Sequence, residues 1–222
     1  MPNYLSTLKN IADPKHTALV IVDMQNDLVR LEGAAASKAG RPIEHVLEVL
    51  PNIEALLVSA RKAGVYPVHV QYTTPKDYSS LSEPWLEARS RARYGMLDFC
   101  VEGTWGHQIC DELAPRDGEP CVVKYRYSGF PGTNLDMLLR ARRLKTVVVC
   151  GVSTNVCVES TARDAFSNDY YVVLPSNACA SWDRRLHDAS LESAAARYAT
   201  VCDVDELTHM WSRVTTTAGG VR

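Results

Sequence analysis

The chain has 222 residues, 46% of them apolar and 23% charged, proportions that suit a single globular domain with a sizeable core. A formal charge of -2 leaves no basic footprint, which sets aside nucleic acid and anionic membranes as partners. No apolar run approaches the about 20 residues that span a bilayer, and the segment 1–16 lacks the apolar stretch of a secretory signal, so a cytoplasmic protein is expected.

The first element is Thr17 to Val22, T-A-L-V-I-V, an unbroken β-branched run that suits a strand buried on both faces and ends at Asp23. Pro42 to Gly64 repeats apolar residues at helical spacing (Val46, Leu47, Leu50, Ile53, Leu56, Leu57), with Gly64 as its C-cap. Val65 to Tyr72 reads as a second strand, in which Pro67 favours an early or edge position. The long connection 73–118 holds a helix over Pro84 to Arg93 and the G-T-W-G stretch at 103–106, and has the character of a lid or pocket segment. Pro120 to Lys124 is a third strand, Thr133 to Leu144 a helix, and Thr146 to Cys150 a fourth strand. A helix is expected from near Thr154 to about Asn168, then a strand at Tyr171–Leu174, a helix at Ala189–Tyr198, a strand at Thr200–Cys202 and a last helix at Val204–Arg213. The segment 214–222 has nothing to bury and is expected to be mobile.

Strands alternating with helices imply right-handed crossovers and a parallel sheet covered on both faces. The expected fold is therefore α/β: one doubly wound, mostly parallel, six-stranded sheet with helices on both faces, its core spanning 17–213.

Seven cysteines stand at 100, 110, 121, 150, 157, 179 and 202, without a C-x-x-C or a zinc-type spacing. Six are expected to be buried thiols acting as small hydrophobes. Cys157 differs through its place. Ligands of open α/β sheets bind beyond the carboxyl ends of the strands. There the first strand delivers Asp23, the third Lys124, and the fourth the turn G-V-S-T-N-V-C that ends at Cys157. A cation and a helix N-terminus lower a thiol's pKa, and a carboxylate can take the thiol proton and pass it to a leaving nitrogen. N–H groups in the first helical turn lack internal partners and suit a developing oxyanion. Singly, each residue has a plainer reading: a turn-stabilising aspartate, a solvated lysine, a buried thiol. The pattern alone leaves the two readings even.

The segments V-I-V-D-M-Q-N-D at 20–27, K-Y-R-Y-S-G-F-x-G-T-x-L at 124–135 and G-V-S-T-N-V-C-V-E-S-T-A-R-D-A-F at 151–166 resemble the isochorismatase-like cysteine hydrolases over about 17–205. The resemblance implies an Asp23, Lys124 and Cys157 catalytic group, a cis peptide at Val152–Ser153 that aims N–H groups at the oxyanion, and a homo-oligomer, dimeric or tetrameric. It implies hydrolysis of a C–N bond in a small amide, ureido or carbamoyl substrate through a thioester, with no cofactor. Cys157 argues against the vinyl-ether cleavage of true isochorismatases. The stretch Y-T-T-P-K-D-Y after the second strand lacks the histidine of the nicotinamidase metal motif, so no metal is expected. E-G-T-W at 102–105, D-E-L-x-P at 111–115 and R-Y-S-G-F at 126–130 look most like the ureidoacrylate amidohydrolase branch, with biuret hydrolase next.

Asn26, Tyr72, Trp105, Arg126 and Phe130 are candidate substrate-binding residues, with Gln25, Trp85 and Tyr127 behind them. His69 reads as a satisfied core histidine, Arg91 and Arg93 as a solvated helix face, and Glu159, Arg163 and Asp164 as ion-pairing or subunit-contact residues. Two other classes compete: a thiol redox sensor using Cys157, which would need a resolving cysteine near it, and a non-catalytic α/β binding module.

Overall fold

The structure, a computed structural model, describes residues 4–91 and 98–218, with the backbone alone at 214–218. Seven strands build the sheet: β1 (Thr17–Val22), β2 (Tyr66–Tyr72), β3 (Cys121–Lys124), β4 (Thr146–Val152), β5 (Tyr171–Pro175), β6 (Cys179–Ala180) and β7 (Thr200–Cys202). The order is β3-β2-β1-β4-β5-β7, β6 pairs with the end of β4, and every pairing is parallel. Helices α1 (Leu8–Ile11), α2 (Asn26–Val29), α3 (Ala34–Ser37), α4 (Glu44–Ala63), α5 (Glu83–Ser90), α6 (Leu135–Ala141), α7 (Glu159–Ser167), α8 (Arg184–Arg197) and α9 (Val204–Ala218) connect or flank the strands. From β1 the chain winds outward through α4 to β2, and from β4 through α7 to β5. Right-handed crossovers running in opposite directions put those helices on opposite faces of the sheet. β1 and β4, at the centre, are buried along their whole length, which is what their unbroken β-branched sequences require.

The direction of winding reverses between β1 and β4. A crevice opens at such a point because the connections on either side leave in opposite directions. Val22 is in register with Gly151 there, and the two main chains press together so closely that a Cβ on Gly151 would overlap the Val22 carbonyl oxygen. Gly151 also takes a φ of 115°, open to glycine but strained for other residues. At the far edge, β3 alternates exposed and buried residues, so Cys121 and Val123 face out while Val122 and Lys124 face in.

The structure departs from the sequence reading at several points. The sheet has seven strands, not six, because Cys179–Ala180 adds a two-residue strand too short to carry a periodic pattern. β2 is an interior strand, and Pro67 takes the early position expected of it, second in the strand and ahead of the β3 pairing that starts at His69. The helix expected at Ala189 begins at Arg184, where the Asp183 side chain caps the Leu186 N–H at 3.2 Å. The last helix runs on through 214–218, so the expected mobile tail is helical there; 219–222 lie outside the described residues. The helix expected to reach Arg93 closes at Ser90, and Arg93 lies outside the described residues. Cys121 is exposed, whereas Cys100, Cys110, Cys150, Cys179 and Cys202 are buried.

Candidate active site

Asp23, the first residue past β1, adopts a φ of 56°, a left-handed conformation that aspartate tolerates better than most residues. Its N–H donates to the Val70 carbonyl at 2.8 Å and its own carbonyl accepts from the Gln25 N–H at 2.8 Å, so the chain turns sharply and the carboxylate faces the crevice. Lys124 starts two strands away. Neighbouring strands lie about 4.8 Å apart, so its ammonium must cross β2 to reach the exit of β1. The four-carbon stem does this, carrying Nζ over the Tyr72 ring, 5.2 Å from its centre. Nζ then donates to Asp23 Oδ2 at 2.8 Å, to the Arg126 carbonyl at 3.1 Å and to Cys157 Sγ at 3.4 Å. An ammonium has three donors, and all three are used. Lys124 and Asp23 are buried, so the pair is not a solvated strand end.

Cys157 lies in a single π-type turn, Thr154–Val158, that leads into α7. The Val152–Ser153 peptide before it is cis. Thr161, one turn further on, donates from its hydroxyl to the Cys157 carbonyl at 2.7 Å and accepts from the Gly129 N–H at 3.0 Å, fastening the Ser128–Phe130 loop to the cysteine's helix.

The electrostatics correct one expectation. Burial, and after it the Asp23 charge, pushes the Cys157 thiol up to about 12, and the opposing pull of Lys124 is smaller. The net displacement is upward, opposite to the lowering expected from a neighbouring cation and a helix N-terminus. Burial also lifts the Asp23 carboxyl above its ordinary value, against the pull of Lys124 and of the Cys157 thiol. Lys124 is pulled down by burial, but Asp23 and Cys157 outweigh that and the net displacement is upward, so it stays an ammonium. A protonated thiol beside a buried carboxyl of raised proton affinity suits direct proton passage between the two during attack.

The sulfur opens into a cavity of about 330 Å³. Its lining joins Asp23, Ser153 and Cys157 at the strand exits with Tyr72, Phe99, Tyr127 and Trp182 and with the arginines Arg41 and Arg89. Of the residues the sequence puts forward for substrate binding, Tyr72 and Tyr127 line this cavity, whereas Asn26, Trp105, Arg126 and Phe130 do not. Asn26 instead donates from Nδ2 to the Trp105 carbonyl at 3.0 Å. Trp105 is half-exposed, Arg126 donates to the carbonyls of Ser80 and Tyr125 at 2.9 and 2.8 Å, and Phe130 packs in the core near Tyr170. Asn26 and Arg126 are spent on loop carbonyls, Phe130 on the core, and Trp105 is half-exposed away from the cavity lining. Gln25 bridges Tyr72 and His107, accepting from the Tyr72 N–H and donating to both carbonyls, while Asp27 accepts from the Ala34 and Cys100 N–H groups. In the D-M-Q-N-D stretch, then, the first aspartate faces the cavity and the other polar residues pin the segment 99–108 beside it.

His69 is buried and bonded to Glu119 at 3.2 Å. Arg91 pairs with Glu87 on an exposed helix face, and Arg163 with Glu159. Sequence reasoning missed Arg41, Arg89, Phe99 and Trp182. Arg89 is buried, donates to the Tyr72 hydroxyl at 2.8 Å and packs its guanidinium over Phe99 at 4.6 Å. Arg41 stacks on Trp182 at 4.4 Å.

A family profile described as the isochorismatase domain matches residues 17–206. The chain belongs to the isochorismatase domain family. Within that family, it is 40% identical to the ureidoacrylate amidohydrolase RutB of Agrobacterium fabrum over 174 residues, 74% of this chain and 76% of that one. Among solved structures it resembles a cysteine hydrolase from Pseudomonas syringae pv. phaseolicola 1448A, with a TM-score of 0.81, 26% identity and coverage of 96% and 100% of the two chains. It also resembles an N-carbamoylsarcosine amidase from Thermoplasma acidophilum, with a TM-score of 0.66, 28% identity and coverage of 85% and 96%. The isochorismatase fold of these relatives is the parallel, helix-covered sheet described above. Among the described residues no helix is long and apolar enough to cross a membrane.

Proposed function

We propose that this chain is a cysteine-dependent amidohydrolase that cleaves a non-peptide C–N bond in a small amide, ureido or carbamoyl substrate. The observation that carries the reading is the Lys124 ammonium bound at once to Asp23, at 2.8 Å, and to Cys157 Sγ, at 3.4 Å, where the sulfur meets the cavity. The names of the amidohydrolase and amidase relatives support the same reaction class.

In the proposed sequence the substrate carbonyl enters beside Sγ. Sulfur attacks the carbonyl carbon while its proton passes to the Asp23 carboxylate. The oxyanion that forms is met by the backbone N–H groups of Ser153 and Cys157 at the start of the helix, while the Val156 N–H is already bonded to the Ser153 carbonyl. Collapse of the adduct breaks the C–N bond, and the departing nitrogen takes the proton from Asp23, leaving as ammonia or an amine. A thioester on Cys157 remains. Asp23 next takes a proton from water, whose oxygen attacks the thioester; sulfur leaves, recovers that proton, and the acid is released. Lys124 holds the Asp23 carboxyl and Sγ in register and offsets negative charge throughout. The redox alternative gains nothing here, since the thiol is pushed up to about 12 and Cys150 is sealed in the core.

Ammonia release across ureidoacrylate, biuret, N-carbamoyl amino acids, nicotinamide and simple amides tests the reading. The Cys157→Ala variant is expected to stay folded by circular dichroism and to lose at least about 10⁴-fold in turnover. Undiminished turnover in that variant would refute the mechanism. We also propose a cytoplasmic homo-oligomer of two or four copies; exposed Leu31, Trp105 and Phe166 supply apolar surface for contacts, and light scattering of the purified chain checks it.

A further inference from the structure

β6 is only two residues long, yet its register sets one part of the cavity. Gly151 pairs with Cys179 and Val152 with Ala180, so β6 ends beside β4 and delivers Ser181 to the cavity, next to the turn that carries Cys157. Ser181 is held at three points. Arg184 donates to His45 Nε2 at 3.0 Å, which leaves the imidazole proton on Nδ1, and Nδ1 donates to the Ser181 carbonyl at 3.1 Å. The Asp183 N–H donates to Ser181 Oγ at 3.3 Å, and Oγ gives its one proton to Asn155 Oδ1 at 2.6 Å. Thr154, the residue before Asn155, is buried and hydrogen-bonded to His187 Nδ1 at 2.8 Å. The Asn155 amide is thereby fixed with its oxygen committed. Its Nδ2 carries two donors, and among the described residues nothing accepts from them. Asn155 is half-buried and lines the cavity together with Cys157, two residues further on. The carboxylates of the cavity are spent elsewhere: Asp23 on Lys124 at 2.8 Å, and Asp183 on the Leu186 N–H at 3.2 Å. Leu28, Phe99, Val152, Val156 and Leu186 line it with apolar side chains that offer no acceptor. A ligand that displaces water from Nδ2 must therefore supply an acceptor of its own or leave the donors unpaired.

We infer that Asn155 is a specificity-determining residue: its Nδ2 donates to a second hydrogen-bond acceptor of the substrate, one that lies beyond the scissile carbonyl held at Cys157. The inference rests on the amidohydrolase reading above and deepens it, because it selects among amides by an uncharged contact. A substrate that continues from the scissile group into another carbonyl oxygen satisfies the amide, and one that continues into a methylene leaves it unpaired. A site built to bond a polar atom rejects the analogue that lacks it more strongly than an apolar pocket rejects a misfit. Asn155 takes no part in making or breaking bonds; it sets which amides are held.

Calorimetric titration of the Cys157→Ala protein with N-acetylurea and with N-ethylurea tests the contact without turnover. The two ligands share a carbamoyl group and a similar shape, and they differ in a carbonyl set in place of a methylene. Acetylurea is expected to bind on the order of 10-fold tighter. On the same background Asn155→Ala is expected to bring that preference toward unity while ethylurea affinity changes little. Asn155→Asp keeps the shape and the bond from Ser181 but presents an acceptor where the donors stood, and is expected to reverse the preference. The aspartate variant decides the matter if the alanine variant fails to fold. Equal affinity for the two ligands before Asn155 is changed, absence of binding by either, a preference that survives both variants, or an equal loss for both ligands in Asn155→Ala overturns the assignment. Ammonia release by the unaltered enzyme separates this from the reaction itself. Ammonia from the amide panel with no Asn155-dependent preference keeps the hydrolase and sinks the contact. An Asn155-dependent preference with no ammonia released from any substrate does the reverse.

Discussion

Two parts of the site are built on different principles. On the sheet side, Asp23 and the turn leading to Cys157, with Lys124 bonded behind them, each leave the carboxyl end of a strand, so main-chain pairing fixes their starting points. Elsewhere in the cavity lining, Arg41, Arg89, Phe99 and Trp182 come from loops and a short helix, and side-chain stacking holds them. A reactive group must be placed to within a fraction of an ångström, which a sheet edge provides. A recognition surface has to match one ligand among many, and loops carried by a rigid frame can vary without disturbing the frame.

Removing the cation from the sheet side should have the largest effect. Lys124→Met leaves Asp23 as a buried carboxyl with no counter-charge, at a cost of roughly 3–5 kcal/mol in stability if it stays ionised. Turnover is expected to fall by about 10²- to 10⁴-fold. Urea unfolding and ammonia assay measure the two, and near-parental values in both would show that the bridging ammonium is incidental.

The next test uses pH to ask whether the sulfur is poised or only relayed. Catalysis requires Asp23 as a carboxylate, and burial raises its pKa, so kcat/KM should fall on the acid side at a pH above the ordinary carboxyl value of 3.8. Cys157 is protonated up to about 12, so no further rise is expected through pH 8 to 9, where an ordinary thiol ionises. A rate that climbs tenfold per unit through that range would mean that a free thiolate performs the attack.

A smaller effect is expected where the two parts are fastened together. Asn26→Ala removes the Nδ2 bond to the Trp105 carbonyl, which keeps its bond from the Gln108 N–H at 3.1 Å, so the cost is about 0.5–1.5 kcal/mol. Because Asn26 touches the 103–107 segment and not the cavity, stability should suffer more than the chemical step. A loss of kcat with no loss of stability would place Asn26 on the substrate after all. Least affected should be Cys121→Ser: its thiol is exposed on the edge strand, and both melting and turnover should stay within about 0.5 kcal/mol of the parent.

The same division governs what can be read from the chain. Burial of the two central strands is plain in T-A-L-V-I-V and T-V-V-V-C because interior parallel strands tolerate few polar residues, and the strand exits follow from their ends. Lys124 is legible as an exit residue, but its inward direction needs the alternation of β3 against β2. The thiol's state is misjudged from sequence because sequence shows neighbours such as Lys124 but not depth, and depth weighs most on the sulfur. Arg41 stands between Gly40 and Pro42, and Arg89 in a run rich in arginine, settings that look solvated until the chain folds them inward. Asn26, Arg126 and Phe130 draw notice by proximity to motif residues, yet proximity in sequence is spent there on loop bonds and packing.

The missing side chain at Gly151 has a reach beyond its own turn. Because the end of β4 rests directly on the end of β1, the gap between the acid and the sulfur is gauged by polypeptide against polypeptide, with no compressible spacer between them. Drift in the outer helices or the roof of the cavity therefore has no lever with which to spread the reacting pair, and new substrate preferences can accumulate on one side while the other keeps its calibration.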